Sequence, residues 1–157
     1  MDRIFAHFAN FDILPHVVAL TVAYLLALPI GWNRERAERS AGLRTFPLVA
    51  VATCGFIQAA ERMAAGDPQA LARIIEGLIT GMGFIGGGAI LRREDSVKGT
   101  ATAASLWITG AIGVSAGLAA YDVAVMLSAV TILTLWALQP LKRLTNHHKA
   151  DDEIGGI

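Results

Sequence analysis

The chain has 157 residues, 54% of them hydrophobic and 17% charged, with thirteen Lys and Arg balanced by thirteen Asp and Glu. A water-soluble domain carries roughly a quarter charged residues, so the composition argues against one, and a net charge of zero gives no support for a nucleic-acid partner. The single cysteine, Cys54, excludes an intrachain disulfide and a multi-cysteine metal site; its apolar neighbours make it a small packing residue. One domain over 1–157 is the natural count for this length.

The charges fall in short clusters between apolar stretches, and a hydrocarbon core near 30 Å needs about 20 helical residues. Phe5, Phe8 and Phe11 recur at helical spacing ahead of the first stretch and suggest a short helix in the membrane interface. Residues 13–32 then reach spanning length. They are too long for the apolar part of a signal peptide, and an arginine-rich stretch stands where a cleavage site would be. Pro29 and Gly31 allow a kink near the end of this span. Residues 45–60 are short and span only if Arg44 and Arg62 snorkel. Residues 74–91 span with one acid, Glu76, and Asp67-Pro68 signals a helix start ahead of them. Residues 101–118 and 123–141 complete five spans, with Asp122 as N-cap of the last and a tight reversal before it.

None of the stretches alternates polar and apolar residues over ten positions, so a barrel is excluded. The expected fold is all-α, a polytopic transmembrane helix bundle with about five spans. With the N-terminus outside, the inner segments hold Arg34, Arg36, Arg39, Arg44, Arg92, Arg93, Lys98, Lys142, Arg143 and Lys149, ten of the thirteen basic residues. The outer segments hold Arg3, Arg62 and Arg73. That bias predicts N-out and C-in. Trp32 and Trp136 then fall toward the cytoplasmic ends of their helices, and Trp107 reads as a packing residue. Residues 142–157 form a short cytoplasmic tail; its His147-His148 pair reads as solvated rather than metal-binding.

The third stretch is rich in glycine. Gly81–Gly86 matches G-x-G-x-x-G, but a dinucleotide loop needs a preceding strand and a turn, and this match lies inside an apolar run. Gly77, Gly81, Gly83 and Gly87 read better as close-packing positions in lipid. Ser105, Thr109, Gly113 and Gly117 recur every four residues and form one stripe of small and hydroxylated side chains, with Thr102 adjoining. The expectation is a tight pair of helices three and four, with a polar path between them as the sharper variant. Glu76 lies about one turn inside its span, where an acid is a functional candidate as a cation or proton site; it could instead pair with Arg73 three residues earlier or make an inter-subunit contact. Thr80 and Gly83 share its face. In the first basic loop, Arg34-Glu35-Arg36 and Arg44 read as a topology anchor whose arginines contact anionic lipid, and the interleaved Glu35 and Glu38 mildly favour specific salt bridges in a docking or gating loop.

Gly31-Trp-Asn-Arg34-Glu35-Arg36 with Ala41-Gly42-Leu43-Arg44-Thr45, Gly81-Met-Gly83-Phe84-Ile85-Gly86-Gly87-Gly88, and Val97-Lys98-Gly99-Thr100-Ala101-Thr102-Ala103-Ala104-Ser105-Leu106-Trp107 carry a resemblance. The chain resembles the membrane domain of the MgtC/SapB family over residues 20 to 120. The resemblance implies a bacterial inner-membrane protein, in a family with members linked to growth in low magnesium and survival inside host cells. Better-known members carry a soluble C-terminal domain, and the tail here is too short for one. The resemblance carries no role over to Glu76.

Two functions are expected from these readings. One is a non-enzymatic accessory or regulatory protein working through helix contacts with another membrane complex. The other is a small oligomeric transporter or channel for Mg2+ or protons, lined by Glu76, Thr80, Ser105 and Thr109. No cofactor is implied and no metal-ligand set can be assembled. No nucleophile or acid pair builds an enzyme site.

Overall fold

The structure is a computed structural model and describes residues 13–37, 41–64, 66–93 and 96–138. The phenylalanines at 5, 8 and 11, Arg39 and the tail from 142 onward lie outside them. The described chain forms five α-helices, α1 (Leu14–Arg36), α2 (Thr45–Ala64), α3 (Pro68–Gly88), α4 (Thr100–Gly117) and α5 (Tyr121–Ala137), with two three-residue strands, β1 (Leu91–Arg93) and β2 (Ser96–Lys98), between α3 and α4. The all-α bundle expected from the composition is therefore present. By length and composition α1 and α3 can each cross a membrane, and α5 is apolar over a shorter length of 17 residues.

Helix ends follow local chemistry. Asp67 caps α3, its carboxylate accepting the Gln69 N–H at 2.9 Å, with Pro68 in the first turn. Asp122 is not the cap of α5: the helix begins at Tyr121 after Ala120, and Asp122 lies in the first turn, where a negative charge still complements the helix dipole. The loop between α3 and α4 is not plain coil. Leu91 pairs with Lys98 and Arg92 with Val97 in an antiparallel ladder. Gly99 joins this hairpin to α4 at φ +95°, a left-handed conformation that disfavours side chains, and an added Cβ there would overlap the Ala89 carbonyl at the end of α3.

One part of the interior is built from small residues. Ala19, Ala23 and Ala27 repeat every four residues along α1 and meet Ala50 and Cys54 of α2 and Ala116 of α4. A second cluster joins Ile30, Phe46, Leu106, Ile112 and Ala124. Many other large apolar side chains lie outside, among them Leu25, Phe56, Phe84 and Leu133. Where lipid is the solvent this arrangement costs nothing, because association rests on close packing rather than on hiding apolar surface. Central to the bundle is α4, which touches every other helix, most extensively α2. By contrast α3 rests on α4 and, over a smaller area, on α2, and only Met82 and Gly86 are buried along it.

Candidate functional site

The stripe on α4 is a packing seam. Ser105, Thr109, Gly113 and Gly117 are all buried, with Thr102 beside them. It faces α2 rather than the glycines of α3. An added Cβ at Gly113 would overlap Thr53 Oγ1 and the Ala50 carbonyl oxygen, and at Gly117 it would lie 2.9 Å from the Cys54 carbonyl and 2.8 Å from Ile57 Cβ. No larger residue fits at either position with the two helices this close.

Buried hydroxyls in this seam have found partners within their own helices. Ser105 Oγ donates to the Ala101 carbonyl at 2.6 Å, Thr109 Oγ1 to Ser105 at 2.8 Å, and Thr53 Oγ1 to Val49 at 3.0 Å. Each hydroxyl thus satisfies its donor by back-bonding. Ser128 differs: its Oγ on α5 donates across to the Leu26 carbonyl of α1 at 2.8 Å.

The expected α3–α4 pair does form, but through other residues. Met82 of α3 lies over Gly110, where a Cβ would come within 2.9 Å of Met82 Cγ, and Gly86 sits on the Ala103 carbonyl with 3.4 Å to an added Cβ. Gly77, Gly81, Gly83 and Gly87 have nothing within 4 Å of an added Cβ and point away from α4. The physical reason is helical phase. Met82 and Gly86 share one face, whereas Gly77, Gly81 and Gly87 lie roughly 120–160° round the helix from it and Gly83 roughly 80°.

Glu76 and Thr80 belong to that outward side and are exposed. Thr80 Oγ1 donates back to the Glu76 carbonyl at 2.9 Å. Glu76 and Arg73 form no ion pair within the described residues. The four polar residues named from the sequence therefore separate into two places: Ser105 and Thr109 inside the seam, Glu76 and Thr80 outside α3. Trp107, expected to pack, is 48% exposed and lines a half-open crevice of about 170 Å³ between α2, α3 and α4, with Thr53, Met82 and Ser115.

At the end of the bundle where α1 stops and α2 begins, the described part of the basic loop, residues 41–44, packs against α1. Arg34 and Asn33 are buried, and Arg34 Nη2 donates to Asn33 Oδ1 at 2.9 Å. The Glu35 carboxylate accepts the Leu43 N–H at 3.1 Å and so ties the loop back onto α1. Gly42 permits this approach, since a Cβ there would overlap the Glu35 carboxylate. Gly31 allows the loop backbone to lie against α1, 3.2 Å from an added Cβ. The Arg36 guanidinium stacks 5.1 Å from the Trp32 ring centroid, and Trp32, Asn33, Arg36 and Trp136 line one cleft. Arg44, exposed, directly precedes α2.

Asn33, the α1 alanine row and the Ser128 bridge were not singled out from the sequence. The alanine row carries a readable signal, small residues every four positions; Asn33 and Ser128 carry none in a single sequence. Among the described residues no group of three His, Cys, Asp or Glu could hold a metal ion.

Comparison with known proteins finds relatives by sequence. The MgtC family model matches residues 20–144. The chain is 36% identical over 138 residues to protein SrpB of Synechococcus elongatus, covering 80% of this chain and 75% of that one. It is 35% identical over 131 residues to an uncharacterized protein of Synechocystis, covering 83% and 55%. Against protein MgtC of Salmonella typhimurium it is 38% identical over 123 residues, covering 78% and 51%, so it spans about half the length of that relative. No solved structure matches. With a family match over most of its length, apolar helices of membrane-crossing length and an apolar exterior, the chain is a membrane protein and belongs to the MgtC family.

Proposed function

We propose that this chain is a multi-pass protein of the bacterial inner membrane and a non-enzymatic accessory or regulatory component of magnesium homeostasis, serving adaptation to magnesium limitation and stress. It acts by presenting a helix face to another protein within the bilayer. The observation that carries the reading is the outward side of α3, where Glu76 and Thr80 are exposed and an added Cβ at Gly81, Gly83 or Gly87 meets nothing within 4 Å. A carboxylate and bare backbone are poorly matched to lipid tails, so a protein surface is the better neighbour. The ends of α1, α3 and the hairpin gather Arg34, Arg36, Arg44, Arg92 and Lys98, against Arg62 and Arg73 at the other end. This supports the basic end as the cytoplasmic one.

The reading is tested by pairing two measurements. Magnesium and proton flux in proteoliposomes is expected to be absent for wild type and for Glu76→Gln alike. Growth of a deletion strain at limiting magnesium is expected to fail and to be restored by wild type. Flux that drops in Glu76→Gln would replace the regulator with a transporter.

A further inference from the structure

The outward face of α3 is complementary to itself. At about 100° per residue, Arg73 and Phe84 lie roughly 20° and 40° to one side of Thr80, while Gly87, Glu76 and Gly83 lie roughly 20°, 40° and 60° to the other. Two copies in the same orientation, related by a two-fold axis along the membrane normal, place one side of each helix against the opposite side of the other. Arg73 then faces the partner's Glu76 about one turn away, twice by symmetry. Phe84, 86% exposed, faces the notch left by the partner's Gly83 and Gly87, positions where an added Cβ meets nothing within 4 Å in its own chain. Thr80 falls on the axis.

We propose that the unit in the membrane is a parallel dimer paired through α3, each Phe84 seated on the partner's Gly83 and Gly87 and each Arg73 bridged to the partner's Glu76. This rests on the reading of α3 as a contact surface and names its occupant as a second copy of this chain. Charge and shape both support that choice. The acid and base of one helix have no ion pair with each other, and the symmetric partner offers each its opposite charge. The bulky ring and the glycine notch lie on opposite sides of the same stripe, as a two-fold pair requires.

Single cysteines at Thr80 and at Ile79 test the geometry by oxidative cross-linking in native membranes. Cys54 is fully buried, so wild type is the background control. Thr80→Cys is expected to give a disulfide dimer, and Ile79→Cys, roughly 100° away, is expected to give little. Arg73→Glu and Glu76→Arg singly should each reduce the Thr80 cross-link about tenfold, equivalent to about 1.4 kcal/mol of association, and the double variant should restore it. Gly83→Leu should abolish it while the protein still elutes as a folded species, since position 83 is open within the chain. Equal cross-linking at 79 and 80, or a charge-swapped double that stays monomeric, overturns the dimer. Cross-linking of Thr80→Cys to a different protein overturns the dimer and keeps the contact surface. No cross-link of any kind, with normal low-magnesium growth of Gly83→Leu and Phe84→Ala, overturns both.

Discussion

Replacing Gly113 with alanine probes the seam between α2 and α4 with a single methyl. The new carbon would overlap Thr53 Oγ1 and the Ala50 carbonyl oxygen and lie 3.0 Å from the Ala50 carbonyl carbon. Trimming Thr53 can relieve only the first contact, because Ala50 presents backbone. The helices must therefore part by several tenths of an ångström, along an interface that also holds Gly117 and Cys54. Overpacking of this kind costs about 1–3 kcal/mol, set against at most about 1 kcal/mol gained from alanine's helix propensity. The matched control is Gly55→Ala on α2, where an added Cβ meets nothing within 4 Å and the propensity gain stands alone. Unfolding of both variants by titration with a denaturing detergent, followed by circular dichroism, should move the midpoints in opposite directions. A Gly113→Ala protein as stable as Gly55→Ala would refute the view that close backbone approach holds this bundle together, and so would full rescue of Gly113→Ala by Thr53→Ala.

Other expectations follow from contacts elsewhere. Ser128→Ala removes the hydroxyl bridge to the Leu26 carbonyl and should cost about 0.6 kcal/mol in the same titration, while Thr131→Ala, whose hydroxyl bonds its own helix at Leu127, should leave the α1–α5 contact intact when read by cross-linking. Glu35→Ala unties the loop from α1 and should speed trypsin cleavage after Arg44 severalfold in inside-out vesicles; Gly42→Ala should do the same by displacing the Glu35 carboxylate, and Glu35→Gln should retain most protection. Gly99→Ala must take up a left-handed backbone costing about 1–2 kcal/mol and overlap Ala89 as well, so folded yield should fall sharply, whereas Gly88→Ala, with open space around it, should express like wild type.

The bundle was legible because its signals are long. Five apolar runs between charged clusters point to helices whatever their packing, and Asp67-Pro68 marks a start by chemistry local to three residues. The α4 seam was legible as a stripe for the same reason. Its partner was not, because two stripes of small residues look alike in one dimension. Gly113 could have met Gly81 as readily as Ala50, and only the angular position of Met82 and Gly86 decides which side of α3 turns inward. The hairpin was hidden by its length: three residues a side carry too little periodicity to separate a strand from a charged loop. Glu76 was singled out as an anomaly in an apolar run with Thr80 on its face, yet the sequence could not say that both would be exposed while Ser105 and Thr109 were buried on α4.

The central position of α4 has a consequence for how the protein is made. Chains insert from the N-terminus at roughly 5–20 residues per second, so α1 and α2 can find each other while later segments are still being synthesised. α3 cannot: its main support is α4, which follows the hairpin. For seconds after its insertion α3 is held only along its edge with α2, its Met82 and Gly86 face open to whatever else is in the bilayer. That interval is when a bystander helix could capture it, and when a membrane chaperone would find its substrate.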